Sequence, residues 1–239
     1  MQIPDGLHTY EFVLLLMGVL LFVTLLVLLV VFAVQRRALK GLIPFFVFPI
    51  AMVGFPGYQK ISFENGIVTI EKLTQELAEN PADSSARAEL ENTLAEIGDK
   101  NVTTPATLLK ISKAQAAIGD TVKALRTVEA VMDNEPASSE GKRLERLFGT
   151  PRVKIEKSAL DVADNPRDSS KRIVLRRELS ELLRTPEVSA GTLVAVAKAH
   201  AVLGDTAKAL MLVDSAMKKD TQLRGAAELR SRLLIHRPR

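Results

Sequence analysis

The residues VTIEKLTQELAENPADSSARAEL, from Val68 to Leu90, recur as VKIEKSALDVADNPRDSSKRIVL from Val153 to Leu175. A second pair of segments, KAQAAIGDTVKAL at 113–125 and KAHAVLGDTAKAL at 198–210, is separated by the same distance of about 85 residues. Self-similarity at a fixed spacing is typical of repeat architectures. The sequence therefore predicts two copies of one structural unit, at 68–150 and 151–239.

The apolar residues within each copy have the period of an α-helix. Leu108, Ile111 and Ala114 recur at intervals of three, which places them on one face of a helix. Gly119-Asp120 and its counterpart Gly204-Asp205 suit a left-handed helix end followed by the N-cap of the next helix. We therefore predict an all-α fold built from helical hairpins.

The segment TPATLLKISKAQAAIGDTVKALRTVEAVMDNEP, residues 104–136, resembles a tetratricopeptide repeat, as does SAGTLVAVAKAHAVLGDTAKALMLVDSAMKKDT at 189–221. The second segment departs from the pattern at Thr221, where the first has Pro136, and both lack the usual aromatic residues. The resemblance implies an α-solenoid whose concave face binds peptides or proteins. The partner-contact residues that it suggests are Lys110, Lys113, Gln115, Ala195, Lys198 and His200.

The N-terminal part of the chain has the composition of a membrane anchor. Residues 12–34 contain no charged residue, and this uncharged run is longer than the apolar stretch that marks a transmembrane helix candidate. Residues 1–11 lack the basic flank of a signal peptide, so we predict that this anchor is not cleaved. The basic loop 35–41, with Arg36, Arg37 and Lys40, belongs in the cytoplasm by the positive-inside rule, which leaves residues 1–11 outside.

The segment 42–58 is apolar but short, and two readings of it remain open. As a second span it forms a helical hairpin with 12–34 and puts the repeats outside the cytoplasm, which is the arrangement we favour. As a re-entrant or interfacial segment it leaves the repeats in the cytoplasm, and the charge rule is satisfied either way. Residues 59–67 follow as a linker or a small β-hairpin, because Asn65-Gly66 is a hairpin signal, or as the lead-in to a helix, since Ile67, Ile70 and Leu73 fit a helical face.

Composition and motifs argue against an enzyme. The chain has no cysteine, and its three histidines are far apart in sequence, so we predict no catalytic, cofactor-binding or metal site. The Asp-Ser-Ser sequences that begin at Asp83 and Asp168 are read as helix caps rather than as nucleophiles. A net charge of +4 and the absence of tryptophan give no reason to expect nucleic acid as a partner.

Basic residues cluster at 171–184 and again at 224–239, and at helical spacing they form mostly solvated faces. Contact with anionic lipid is the functional alternative, for which the candidates are Arg36, Arg37, Lys40, Arg176 and Arg177.

These observations lead us to expect a scaffold anchored in a bacterial inner membrane, which binds a protein partner or assembles with itself. The alternative is an accessory subunit or assembly factor of a larger membrane complex. A two-span anchor followed by a periplasmic repeat domain is similar to the assembly factors of cytochrome c maturation, which hold unfolded apoproteins. The short loop 35–41 departs from the long cytoplasmic loop of that family.

Overall fold

The computed structural model describes residues 5–35, 43–182, 184, 188–221 and 223–235, and these residues contain helices and no strand. The all-α prediction is confirmed over these ranges. The chain divides into two compact units, residues 1–138 and 139–239. The boundary between these units is not the division between the sequence copies, because the helix at 139–148 lies in the second unit while its counterpart 85 residues later, at 224–235, ends the second copy.

The first unit contains five α-helices in its described residues, together with a short 3₁₀-helix at Ile43–Phe46. They are α1 (Thr9–Val34), α2 (Val47–Glu79), α3 (Ser84–Gly98), α4 (Pro105–Ala117) and α5 (Thr121–Asn134). Helix α2 packs against α1, α3 and α4, and α5 packs against α4. Its main core cluster is formed by apolar side chains of α2, α3 and α4, including Ile70, Leu90 and Ala114.

The second unit holds the last helix of the first sequence copy, at 139–148, followed by the described helices of the second copy. Its helices are α6 (Ser139–Phe148), α7 (Pro151–Asp164), α8 (Ser169–Leu182), α9 (Ala190–Val202), α10 (Thr206–Lys219) and α11 (Arg224–Ile235). Helix α7 packs against α8 and α9 as the second half of α2 packs against α3 and α4, and α10 packs against α9 and α11. Helices α3, α4 and α5 begin 85 residues before α8, α9 and α10 respectively, so the duplication seen in the sequence is also a duplication of helices.

The turns between paired helices form as the residues predict. Gly119 has a φ of +91° and Gly204 a φ of +88°, a conformation that only glycine adopts without strain. The carboxylates of Asp120 and Asp205 then accept hydrogen bonds from backbone N–H groups in the first turns of α5 and α10. Each Gly-Asp pair therefore ends one helix and caps the next within three residues.

Residues 59–67 are helical, so the predicted β-hairpin at Asn65-Gly66 is wrong. Helix α2 runs without interruption through the apolar segment 47–58, through 59–67 and into the first repeat. The reason for the glycine is packing: a Cβ at Gly66 would lie 2.9 Å from Cδ1 of Ile97 on α3. Gly66 thus allows two helices to approach closely, and the hairpin signal of the dipeptide is overridden by that contact.

Helices α1 and α2 lie side by side and run in opposite directions. Gly6 lies against Phe63, Gly18 against Met52, and the Phe22 ring stands edge-on to that of Phe46 with 5.7 Å between centroids. As the residue number rises from 6 to 22 along the first segment, the number of the contacting residue falls from 63 to 46, so the two segments are antiparallel. Pro49 lies in the first turn of α2, where its missing N–H has no helical partner to lose, whereas Pro56 lies inside the helix.

Most of the side chains of α1 have no protein neighbour to cover them. Helix α1 is the helix in the described part of the chain that is both long enough and apolar enough to cross a bilayer, and only 6% of its most apolar window is buried. Exposed apolar side chains continue onto α2, among them Phe45, Phe48, Ile50 and Phe55. A contiguous apolar surface of this kind requires a covering, whether lipid or protein.

Candidate functional site

The partner-contact residues predicted on α4 lie within the first unit's own contacts. The Nζ of Lys110 is 2.8 Å from Oε1 of Glu71 on α2, which ties these two helices together. The Oε1 of Gln115 accepts a hydrogen bond of 2.9 Å from Oγ1 of Thr127 on α5, and Lys113 is half-buried. Of these three residues, Gln115 also borders a cleft.

The three residues predicted on α9 do not share one surface. Lys198 is exposed, but Ala195 is 1% exposed and His200 is 7% exposed. The prediction that Ala195 contacts a partner is therefore wrong, because a buried methyl group offers nothing to an incoming peptide. His200, although buried, borders a cleft in the second unit.

The cleft beside His200 lies between α8 and the turn that joins α9 to α10, and the first unit has a counterpart of it. The cleft of the second unit, here called the basic cleft, is lined by Arg176, Leu179, Ser180, His200, Leu203, Asp205 and Lys208. The cleft of the first unit, here called the acidic cleft, is lined by Glu91, Leu94, Ala95, Gly98, Asp99, Gln115, Ile118, Asp120 and Lys123. Each of the seven residues of the basic cleft has its counterpart, 85 positions earlier, in the acidic cleft.

The two clefts lie at equivalent positions of the repeats but differ in charge and in size. Glu91 of the acidic cleft corresponds to Arg176 of the basic cleft, so one acidic position has become cationic. Asp99, which also lines the acidic cleft, corresponds to the exposed Arg184. The cleft volumes are about 600 Å³ in the first unit and 300 Å³ in the second. Duplication therefore produced one fold with two different surfaces.

The charges in the two clefts are also paired differently. In the acidic cleft the Nζ of Lys123 is 2.9 Å from Oδ2 of Asp120. In the basic cleft the carboxylate of Asp205 lies instead 3.7 Å from Nδ1 of His200. Within the described residues, the side chains of Arg176 and Lys208 have no ion-pair partner. The basic cleft thus presents two cations that the protein itself does not neutralise.

His200 is held between α8, α9 and the start of α10 with one ring nitrogen unused. Its Nε2 is buried and has no hydrogen-bond partner within the described residues. Burial lowers the pKa of His200, the positive charge of Lys208 lowers it further, and the carboxylate of Asp205 opposes both. His200 is therefore predominantly neutral at neutral pH, and the charged groups of the cleft are the cations Arg176 and Lys208 and the carboxylate of Asp205, which together leave it net positive.

A second functional feature joins the N-terminal segment to the repeats. The carboxylate of Asp5 accepts hydrogen bonds from the backbone N–H groups of Thr103 and Thr104 and from Oγ1 of Thr103, at 2.8–3.1 Å. The N–H of Gly6 donates to the carbonyl oxygen of Asn101 at 2.8 Å. Burial raises the pKa of Asp5, but these hydrogen bonds outweigh that effect and the net pKa is lowered. The residues just before α1 are thus fastened to the loop between α3 and α4.

The same loop position is capped differently in the two copies. The side chain of Thr104, at the N-cap of α4, makes no capping hydrogen bond. Its counterpart Ser189 accepts one from the N–H of Thr192 at 3.2 Å. In the first copy Asp5 instead holds the N–H groups of Thr103 and Thr104 just before α4, so the two copies differ where the N-terminal segment attaches.

Of the residues predicted to contact lipid, Arg36, Arg37 and Lys40 lie outside the described residues. Arg176 and Arg177 are both exposed on α8, but only Arg176 borders the basic cleft. No group of three histidine, aspartate or glutamate residues in the described ranges is placed to hold a metal ion. Sequence reasoning missed both clefts, although comparison of the charges at equivalent positions of the two copies would have indicated them.

Comparisons with known proteins add a single distant likeness. The chain matches no protein-family model and no curated protein. A solved structure described as a tetratricopeptide repeat protein from Parabacteroides merdae is similar, with a TM-score of 0.32 and 11% identity. The match covers 89% of this chain and 98% of the other. The helical-repeat architecture of this chain is established by its own helices, in which the same order of packing recurs 85 residues later.

Proposed function

We propose that this protein is a membrane-anchored scaffold whose helical repeats bind a protein partner on the non-cytoplasmic side of a bacterial inner membrane. The carrying observation is the attachment of Asp5 and Gly6 to the loop at 101–104. If α1 crosses the bilayer, this attachment requires the repeats to lie on the side from which α1 enters. The basic loop 35–41, at the opposite end of α1, belongs in the cytoplasm by the positive-inside rule.

The antiparallel packing of α1 and α2 supports a hairpin of two membrane segments. Exposed apolar side chains cover α1 and extend along α2 as far as Ile61. The chain's two tyrosines, Tyr10 and Tyr58, are exposed, and the contacts of Gly6 with Phe63 and Gly18 with Met52 put them at one level of the hairpin. Tyrosines are enriched at membrane interfaces, so this level is the expected boundary between lipid and water.

The same contacts support an anchor that stays attached to the mature protein. Cleavage after α1 would remove Asp5, which holds the loop before α4, and would expose the face of α2 that Gly18 covers. Helical-repeat stacks expose extended surfaces suited to protein partners, and fold-level inference of this kind supports a non-enzymatic adaptor.

The absence of cysteine makes the topology directly testable. A single cysteine at Ser139, an exposed position, would be introduced into the full chain and treated with a membrane-impermeant maleimide in intact spheroplasts. We expect labelling before lysis, and a cysteine at Lys40 is the matched control that we expect to react only after lysis. Protection of Ser139→Cys until lysis would contradict the proposed orientation.

The scaffold function requires a separate experiment in the native cells. A photo-crosslinking residue at Ser180, which borders the basic cleft, should form a discrete adduct with a protein partner. The control is the same residue at Glu64, an exposed position on α2. An adduct found equally at both positions, or at neither, would count against a partner-binding role of the repeats. Co-migration of the chain with an intact enzyme complex would favour the accessory-subunit alternative instead.

A further inference from the structure

The basic cleft differs from its duplicate in a way that packing does not explain. The apolar wall positions are retained, since Leu179 and Leu203 correspond to Leu94 and Ile118. The polar positions have changed: Arg176 stands where the first copy has Glu91, and His200 stands where it has Gln115. The architecture of the repeat therefore accepts either set, and the choice of charge must have another cause.

The cations of the basic cleft are left available for a ligand. Lys208 corresponds to Lys123, whose ammonium group is neutralised by Asp120 at 2.9 Å. In the second copy Asp205 is turned toward His200, and neither Lys208 nor Arg176 has an ion-pair partner among the described residues. The cleft thus combines two cations and the single carboxylate of Asp205, which leaves a net positive charge, with apolar walls, and this complements an anionic group attached to an apolar chain.

His200 contributes the second, independent observation. Its side chain is 9% exposed, and its buried Nε2 lacks a hydrogen-bond partner within the described residues. Because Nε2 is itself buried and unpaired among these residues, His200 does not stand at this position to complete an internal hydrogen-bond network. Gln115, at the same position of the first copy, is instead satisfied internally by Thr127.

We propose that the basic cleft binds an acidic peptide segment of the protein partner, with Arg176 and Lys208 holding a side-chain carboxylate. This proposal rests on the scaffold function above and specifies the chemistry of the partner. Guanidinium and ammonium groups form charge-assisted hydrogen bonds with carboxylates, and the walls formed by Leu179 and Leu203 accept the neighbouring apolar groups. A volume of about 300 Å³ suits one or two side chains rather than an extended membrane surface.

The binding test uses the full chain in nanodiscs of zwitterionic lipid, so that no anionic lipid competes. The probe is a capped peptide of alternating glutamate and leucine, and its control has glutamine in place of glutamate. Binding is followed by the NMR signals of ¹³C-labelled histidine, with His200 assigned from the His200→Gln variant. We expect the glutamate peptide to shift the His200 signal and the glutamine peptide to leave it unchanged. No glutamate-dependent shift at millimolar peptide would overturn the proposal.

Adjacent arginines provide a control of equal charge. Arg176→Glu and Arg177→Glu alter the net charge identically, but only Arg176 borders the cleft. We expect Arg176→Glu to weaken peptide binding about tenfold or more, the effect of losing a hydrogen bond to a charged group, and Arg177→Glu to change it less than about twofold. Equal losses in both variants would mean non-specific attraction and would refute the cleft as the site.

A gain-of-function variant tests whether the residues of the basic cleft are sufficient to bind the peptide. Glu91→Arg with Gln115→His gives the acidic cleft the counterparts of Arg176 and His200, and Asp99→Arg replaces the further carboxylate by the counterpart of Arg184. With a histidine at 115 to face Asp120, as His200 faces Asp205, Lys123 is freed from its ion pair. We expect this triple variant to bind a second equivalent of the glutamate peptide, and unchanged stoichiometry would argue against the proposal.

Two further results distinguish this proposal from lipid binding at the cleft and from the scaffold function alone. Arg176-dependent binding of soluble short-chain phosphatidylglycerol, without peptide binding, would assign the cleft to lipid and overturn the peptide proposal. If the Ser180 photo-adduct persists in Arg176→Glu at its original yield, the scaffold function stands and the cleft proposal fails.

Discussion

The carboxylate of Asp5 accepts a hydrogen bond of 2.8 Å from the backbone N–H of Thr103, although the two residues are 98 positions apart. A second pair of contacts, from the N–H of Thr104, fixes the residue that immediately precedes α4. The N-terminal segment is thus a structural part of the first repeat rather than a tether attached to it.

Asp5→Ala should loosen the start of α4. The substitution removes the hydrogen bonds that the carboxylate accepts from Thr103 and Thr104, and a hydrogen bond to a charged group is worth about 1.5–3 kcal/mol. We expect faster hydrogen exchange of the amides of residues 103, 104 and 106–108 in the full chain in nanodiscs, with the amides at 190–193 unchanged. Ser189→Ala, which removes the N-cap of α9, is the matched control and should produce the reverse pattern. Exchange at these amides that does not respond to Asp5→Ala would mean that the hydrogen bonds of Asp5 make no energetic contribution.

This tie should weaken in acid. The pKa of Asp5 is lowered in the folded protein, so the folded state binds its proton less readily than the unfolded state does. The stabilisation is therefore fully present above the unfolded pKa of about 3.9 and is lost as the pH falls through the folded value. Because exchange chemistry itself varies with pH, the measurement is the difference in protection between wild type and Asp5→Ala. That difference should vanish at low pH.

His200 should titrate below the usual histidine value of about 6.5, because burial and the charge of Lys208 disfavour its protonated form. The ¹³C signals of labelled histidine in the full chain give its titration curve. Lys208→Gln should raise the pKa of His200, and Asp205→Asn, which keeps a capping side chain, should lower it. Shifts of opposite sign to these would show that another charge controls the ring.

The same shift has a consequence for stability. Since the pKa of His200 is lowered on folding, the unfolded state binds more protons below about pH 6.5. The second unit should therefore lose stability as the pH falls through that value, and His200→Gln should reduce the loss. Protection of the α9 amides relative to their intrinsic exchange rates, measured in both proteins at neutral and mildly acidic pH, tests this expectation.

Gly18 should be required for the packing of α1 on α2, because a Cβ there would lie 2.9 Å from Cβ of Met52. Cysteines at Phe22 and Phe46, whose rings are 5.7 Å apart, report this packing through oxidative cross-linking in the membrane. We expect Gly18→Leu to reduce the cross-linked fraction strongly. Gly54→Leu is the control, since a Cβ at Gly54 meets no atom within 4 Å. Equal loss in both variants would contradict the close approach.

Gly204→Ala should destabilise the α9–α10 hairpin through its backbone alone. The φ of +88° is strained for alanine, although a Cβ at this position would have free space. We expect a loss of about 1 kcal/mol in the free energy of exchange of the α10 amides. Gly98→Ala provides the comparison, because Gly98 ends α3 with equal space and no positive φ. It should leave stability unchanged or raise it slightly, and an equal loss would point to a different cause.

The sequence predicted the helices of the repeats well where their signals are local. Asp83, Asp120 and Asp205 cap the helices that follow them, and Gly119 and Gly204 have the left-handed conformation. These interactions join residues within one turn of each other, so the letters of the sequence are sufficient to identify them. Because the two copies are spaced by 85 residues, a turn or cap assigned in one copy could be assigned at the equivalent position of the other.

Predictions failed where a distant contact decided the outcome. Asn65-Gly66 is a hairpin signal in isolation, but Gly66 lies inside α2 because Ile97 of α3 packs against it. Ala195 was assigned to a binding face by its position on a helix, yet the folded chain buries it. A helical period identifies the faces of a helix but not which neighbouring helix covers each face.

By itself, the sequence determined the all-α class, the duplication and the long apolar N-terminal helix, because these follow from periodicity, caps and composition. Only the tertiary structure decided that α2 continues into the repeats, that Asp5 reaches α4, and that Arg176, His200 and Lys208 border one cleft. The physical reason is range: helix signals act over a few residues, whereas these contacts join segments that only the packing of whole helices brings together.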